Sequence, residues 1–171
     1  MSYKTWNAVM PTTAAMSGVA TANGVKTMLQ VAAPPSRQLE IISWGYSVSV
    51  TPPGISTVEL LQTDVAATVI AHVAAGVQPV RGSGQTASLV TLGTAATGYT
   101  ASAEGSTTAT KTFDSQQLGI AAGNDNLTYS YQFMPDEERP VVDLSKFLRI
   151  RTTFTSTTPL FLCWVVFKEL G

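Results

Sequence analysis

The chain has 171 residues, a formal net charge of −1, 44% hydrophobic residues and only 12% charged ones. That length suits one domain with a core large enough to need no staple, and a lone cysteine, Cys163, rules out an internal disulfide. The 10 basic residues are spread too thinly for counterion-driven nucleic-acid binding, and no apolar run reaches the roughly 18 residues that a membrane helix needs.

Threonine is abundant, with 24 copies, and Ala, Ser, Gly and Val accompany it. Such a composition favours pleated, half-buried surface over solvated helix. It also leaves a nearly neutral exterior that resists association poorly.

Residues 1–26 carry Pro11, Gly18 and Gly24 and show no sustained periodicity. They read as an extended N-terminal arm, with Trp6, Val9, Met10 and Met16 as its anchors, leaving 27–171 as the folded domain. One lysine with no dense apolar segment behind it does not make a signal peptide.

Met28 to Ala32 is a short strand stopped by Pro34-Pro35. In Gln38 to Val50, Ile42, Trp44, Tyr46, Val48 and Val50 share one face, while Leu39, Ile41, Ser43 and Gly45 share the other. Val58 to Leu61 is a further strand, ending near Thr63-Asp64. Val65 to Val77 supports two readings. Its alanines, and valines at every fourth position, favour a short helix near 65–76, whereas Thr68–Val73 alternates as a strand would. Residues 81–112 are rich in Gly, Ser and Thr, as expected of long loops carrying short edge strands. Leu127, Tyr129, Tyr131 and Phe133 alternate with Thr128, Ser130 and Gln132, a half-buried strand. Leu148, Ile150 and Phe154 face inward on the next strand, with Arg149 and Arg151 outward. Those arginines could meet an acidic partner, or a carboxylate such as Glu59 or Glu169; the internal pair is favoured. Leu160 to Phe167 is apolar on both faces and must be central or covered by a partner. Eight or so strands with long connections make an all-β, antiparallel two-sheet sandwich of jelly-roll type.

Catalysis finds little purchase. His72 is the single histidine, so multi-histidine metal sites are excluded, and no nucleophile-elbow sequence accompanies it. Asp136, Glu137 and Glu138 are consecutive and read as a solvated turn; Glu104, Asp114, Asp125 and Asp143 are scattered without calcium-loop spacing. Gly82-Ser83-Gly84 lacks the lysine of a phosphate cradle. Cys163 lies in an apolar run and reads as a small buried hydrophobe. No catalytic, metal or cofactor residue is assigned. Trp44 and Tyr46, with Tyr129, Tyr131 and Phe133, are either core or a sugar-binding platform, core being the commoner use.

Three stretches carry a family likeness: Leu60-Leu61-Gln62-Thr63-Asp64-Val65 continuing to Gly76; Ser88-Leu89-Val90-Thr91-Leu92 through Tyr99; and Phe147-Leu148-Arg149-Ile150-Arg151 followed by Cys163-Trp164-Val165. Together, over about residues 28–168, they resemble the small head decoration, or cement, proteins of tailed bacteriophages and their prophages. The resemblance implies a virion protein on the capsid exterior, assembled in the host cytoplasm, bound to the major capsid protein and associated as a homotrimer. It implies no enzymatic activity, cofactor, nucleic acid or membrane partner. The interface expected from the residues is Trp6, Met10, Leu160, Leu162, Trp164 and Val166. Two rival readings stand beside it: a jelly-roll carbohydrate- or receptor-binding module of a tail or fibre, suggested by the 81–112 loops, and a hydrolase built on His72.

Overall fold

The computed structural model describes residues 1–9, 14–82, 84, 86–119, 127–135 and 139–171. Its strands are β1 (Ser2–Trp6), β2 (Val19–Ala20), β3 (Asn23–Ala32), β4 (Gln38–Val48), β5 (Ser56–Thr63), β6 (Thr68–Ala71), β7 (Val77–Pro79), β8 (Gly98–Ala103), β9 (Thr110–Leu118), β10 (Leu127–Gln132), β11 (Val141–Val142), β12 (Phe147–Thr155) and β13 (Leu160–Leu170). One sheet runs β10-β4-β13-β1-β7, with β11 also on β4 and β2 also on β13. The other runs β6-β8-β3-β12-β5-β9. The two antiparallel sheets pack face to face, the sandwich that the alternating apolar pattern predicts.

Alternation explains the core. Val31 and Leu29 on β3, Val58 and Leu60 on β5, and Leu148, Ile150 and Phe154 on β12 point inward from one sheet. Trp44, Tyr46 and Val48 on β4, and Phe161, Cys163, Val165 and Phe167 on β13, meet them from the other. Phe161 is the hinge of this packing: its ring stacks on Tyr46 at 5.3 Å and meets Phe154 edge-on at 6.1 Å.

Bulges decide which residues reach which face. On β4, Ile41 pairs with Phe167 and Ser43 with Val166, so Ile42 is an extra residue. Parity flips there, and Leu39 and Ile41 join Trp44, Tyr46 and Val48 on the core face instead of opposing them. A second bulge at Met28 frees the Thr27 N–H, which donates to Glu104 Oε1 at 2.5 Å. A third lies at Phe113: Leu60 pairs with Asp114 and Leu61 with Thr112.

Three expectations need correction. Residues 1–26 are not an arm outside the domain along their whole length, because β1 lies between β13 and β7, with Tyr3 and Thr5 buried. The 65–77 stretch takes the strand alternative at β6, and its helical part shrinks to a single 3₁₀ turn, Ala74–Gly76. Residues 81–112 are only partly loop, since β8 is an internal strand held between β6 and β3.

Candidate functional site

The outer face of the β10-β4-β13-β1-β7 sheet gathers most of the expected interface. Outward positions alternate along β13, which places Leu160, Leu162, Trp164 and Val166 on that face, with Leu160 exposed and the others half-buried. Trp6 on β1 pairs with Trp164, and their rings lie 6.2 Å apart. Lys4, also outward on β1, sets its ammonium 4.3 Å from the Trp6 ring centre and 4.1 Å from that of Trp164. This cation–π clamp fixes both indoles. Met10 lies outside the described residues.

Two shallow grooves continue along the stripe. One, of about 250 Å³, is bordered by Trp6, Leu162 and Trp164 on one side and by Ser47, Thr128 and Ser130 on the other. The next, of about 230 Å³, carries on past Leu162 to Leu160 and Gly18. The stripe is aromatic and aliphatic along its spine, hydroxyl-rich at its margin, and holds one clamped lysine.

Ionisable groups elsewhere are absorbed by structure. The Arg149 guanidinium sits on the far face of the other sheet, yet is 1% exposed because the segments around Val65 and Glu104 cover it. It donates to the Val65 and Glu104 carbonyls and pairs with the Glu104 carboxylate at 3.3 Å. Arg149 faces outward as alternation expects, and its carboxylate is the internal Glu104 rather than Glu59 or Glu169. Arg151 does meet Glu59, through two contacts of 3.0 and 2.9 Å. Glu169 instead accepts from the Ser88 hydroxyl and the Leu89 N–H.

His72 is buried, its Nε2 donating to the Trp6 carbonyl at 2.7 Å while its ring packs on Tyr99 at 4.9 Å. Burial holds its pKa below the ordinary value, so it is neutral at neutral pH and its role is to tie β6 to the end of β1. Cys163 is fully buried and its thiol is pushed well up by desolvation, leaving no thiolate for chemistry. Among the described residues no three His, Cys, Asp or Glu side chains come together to hold a metal ion. Among them, too, no helix is long and apolar enough to cross a membrane.

Sequence reasoning passed over one cluster. At the open mouth between the edge strands β9 and β10, the Asp114 carboxylate accepts from Trp44 Nε1 at 3.1 Å, the Tyr129 hydroxyl at 2.7 Å and Gln116 Nε2 at 3.0 Å. Burial and this carboxylate raise the Tyr129 hydroxyl far above its ordinary value; burial, helped by Asp114, takes Tyr46 up to about 12. The signal that could have found the cluster is the Phe113 bulge, which turns Asp114 and Gln116 inward but leaves no mark on composition.

No family model, curated protein or solved structure matches this chain.

Proposed function

We propose that this chain is a structural virion protein, a head decoration protein that binds the outside of the capsid shell and stabilises it without chemistry of its own. The observation that carries the reading is the half-exposed stripe Trp6–Trp164–Leu162–Val166 on the outer face of the sheet centred on β13. Large aromatics left partly open in a row on a rigid sheet are the residue types that anchor protein interfaces. The low charge of the chain favours close association over repulsion. The three family-like stretches support the same conclusion and supply its particulars: the major capsid protein as partner, a homotrimer as the bound form, and the capsid exterior as the location. Sedimentation velocity of the purified chain tests the self-association. A trimer that dissociates in Leu162→Glu is expected; a monomer at every concentration removes the trimer.

A second reading rests on one observation. The Trp6 and Trp164 indoles border a groove whose other wall is Ser47, Thr128 and Ser130, a pairing of ring faces and hydroxyls that also suits a sugar. It would make the chain a carbohydrate- or receptor-binding module of a tail or fibre. A glycan-array screen separates the two: binding that Trp164→Ala abolishes supports the module, and an empty array removes it.

A further inference from the structure

On the side of the sandwich where β9 and β10 form adjacent edges, the described residues of the two sheets do not close. A cleft of about 480 Å³ opens there, lined by Phe113, Asp114, Tyr129, Tyr131, Phe133 and Met134, with Gln116 at its margin. The odd-numbered residues of β10 point into it by alternation, and Tyr131 is 46% exposed although it faces inward. Tyr131 and Phe133 meet edge to face at 5.0 Å, so the wall is a set of ring faces and edges at different angles.

The charge in this cleft is unbalanced. Trp44 is fully buried and its indole N–H needs an acceptor, but any neutral oxygen would serve. The Phe113 bulge supplies a carboxylate instead. Among the described residues no lysine or arginine forms an ion pair with Asp114; Arg139 turns to Glu40 at 3.7 Å, and Lys111 lies over the Phe113 ring at 5.4 Å. A lone negative charge beside aromatic rings is complementary to a cation. The type of cation follows from hydrogen-bond accounting. Asp114 already accepts three bonds, from Trp44, Tyr129 and Gln116, out of about four that a carboxylate can take. A primary ammonium or a guanidinium would bring several donors to a carboxylate with about one acceptor site left. A quaternary ammonium brings none, and needs only a negative charge and ring faces.

We propose that the β9–β10 mouth is a binding site for an organic cation of the quaternary-ammonium class, its charge against Asp114 and its alkyl groups against Tyr129, Tyr131 and Phe133. The site is separate from the outer-face stripe and stands whether or not that stripe holds a capsid.

Choline is the probe, and its uncharged carbon isostere, dimethylbutanol, is the control. Binding is read by titration calorimetry and by the indole N–H resonance of Trp44, which reports on Asp114 directly. Saturable choline binding in the millimolar range is expected, with the isostere at least about tenfold weaker. Asp114→Asn, which keeps an acceptor for Trp44 but removes the charge, is expected to weaken choline by about tenfold or more. Tyr131→Ala removes an exposed wall and is expected to weaken it as well. If Asp114→Asn fails to melt cooperatively, the isostere comparison and Tyr131→Ala decide. Equal binding of choline and isostere, undiminished binding in either variant, or no saturable choline binding would each overturn the proposal.

Discussion

The Trp164 indole lies across Gly45 on the neighbouring strand: a Cβ built on Gly45 would come within 2.8 Å of the ring and 2.7 Å of the Tyr129 carbonyl. The pair couples the central strand to β4 and β10, and it explains how a tryptophan on the outer face of a sheet is half-buried although no third layer of described residues lies over it. Gly45 is needed for the space it leaves.

Gly45→Ala is therefore expected to destabilise the fold by about 1–3 kcal/mol, the usual cost of overpacking. Trp164→Ala alone should cost less, because one side of the ring is already open. In the double variant part of the Gly45→Ala penalty should disappear, since the ring clash goes and the Tyr129 carbonyl clash stays. Urea unfolding of the four-member cycle measures the coupling, and strict additivity would show that ring and glycine do not interact.

The two arginines of β12 should behave differently. Arg149→Ala strips a buried charge network and takes one donor from each of the Val65 and Glu104 carbonyls, for a loss of about 3–5 kcal/mol. Arg151→Ala removes a pair that solvent reaches from both sides and should cost about 1 kcal/mol or less. Thermal melts of both variants check the contrast.

Deleting residues 1–8 should abolish the cooperative melt. β1 fills the gap between β13 and β7, Tyr3 packs on Phe167 at 5.9 Å, and the Asn7 side chain donates to the Phe161 carbonyl at 2.9 Å and accepts from the Cys163 N–H at 2.7 Å. A truncated chain that melts as the full chain does would return this segment to the status of an arm.

That segment shows where the sequence is opaque. Burial alternates along Ser2-Tyr3-Lys4-Thr5-Trp6, but over only five residues, three of them polar, with a threonine inward and a tryptophan outward, and its main partner β13 is the last strand of the chain. Pairing at such separation leaves no local trace. β13 itself was plain, because eight consecutive apolar residues admit few solutions. The β4 pattern was legible and its parity was not: one extra residue at Ile42 moves Leu39 and Ile41 onto the face of Trp44, Tyr46 and Val48, and a bulge has no compositional signature. The burial of Arg149 went unread for a related reason. Alternation correctly puts it on the outer face, but not the segments that fold over it. Of the candidate interface, Trp6, Leu162, Trp164 and Val166 fall on one face because β-parity holds without a bulge along β13.

Acid should act on the fold in two separate windows. The His72 pKa is lowered by burial, so below its ordinary value of 6.5 the unfolded chain takes up a proton that the folded chain resists, and stability falls as pH falls. Asp64 is lowered to about 2, first by the Thr108 hydroxyl, so its contribution is present above 3.8 and is lost as pH falls towards 2. A melting temperature a few degrees lower at about pH 5 than at pH 7, with the difference reduced in His72→Gln, is expected. An unchanged pH dependence in the variant would remove His72 as its source.

The central claim is that the outer face around β13 holds a protein partner. It is tested most directly by pelleting the chain with shells assembled from its proposed partner, a tailed-phage major capsid protein, wild type against Leu162→Glu. The account predicts saturable binding by the wild type, and at least about a hundredfold weaker binding by a variant that melts normally, as expected when a charge is buried in an interface core. Wild-type chain left in the supernatant, or Leu162→Glu pelleting as well as wild type, would contradict it.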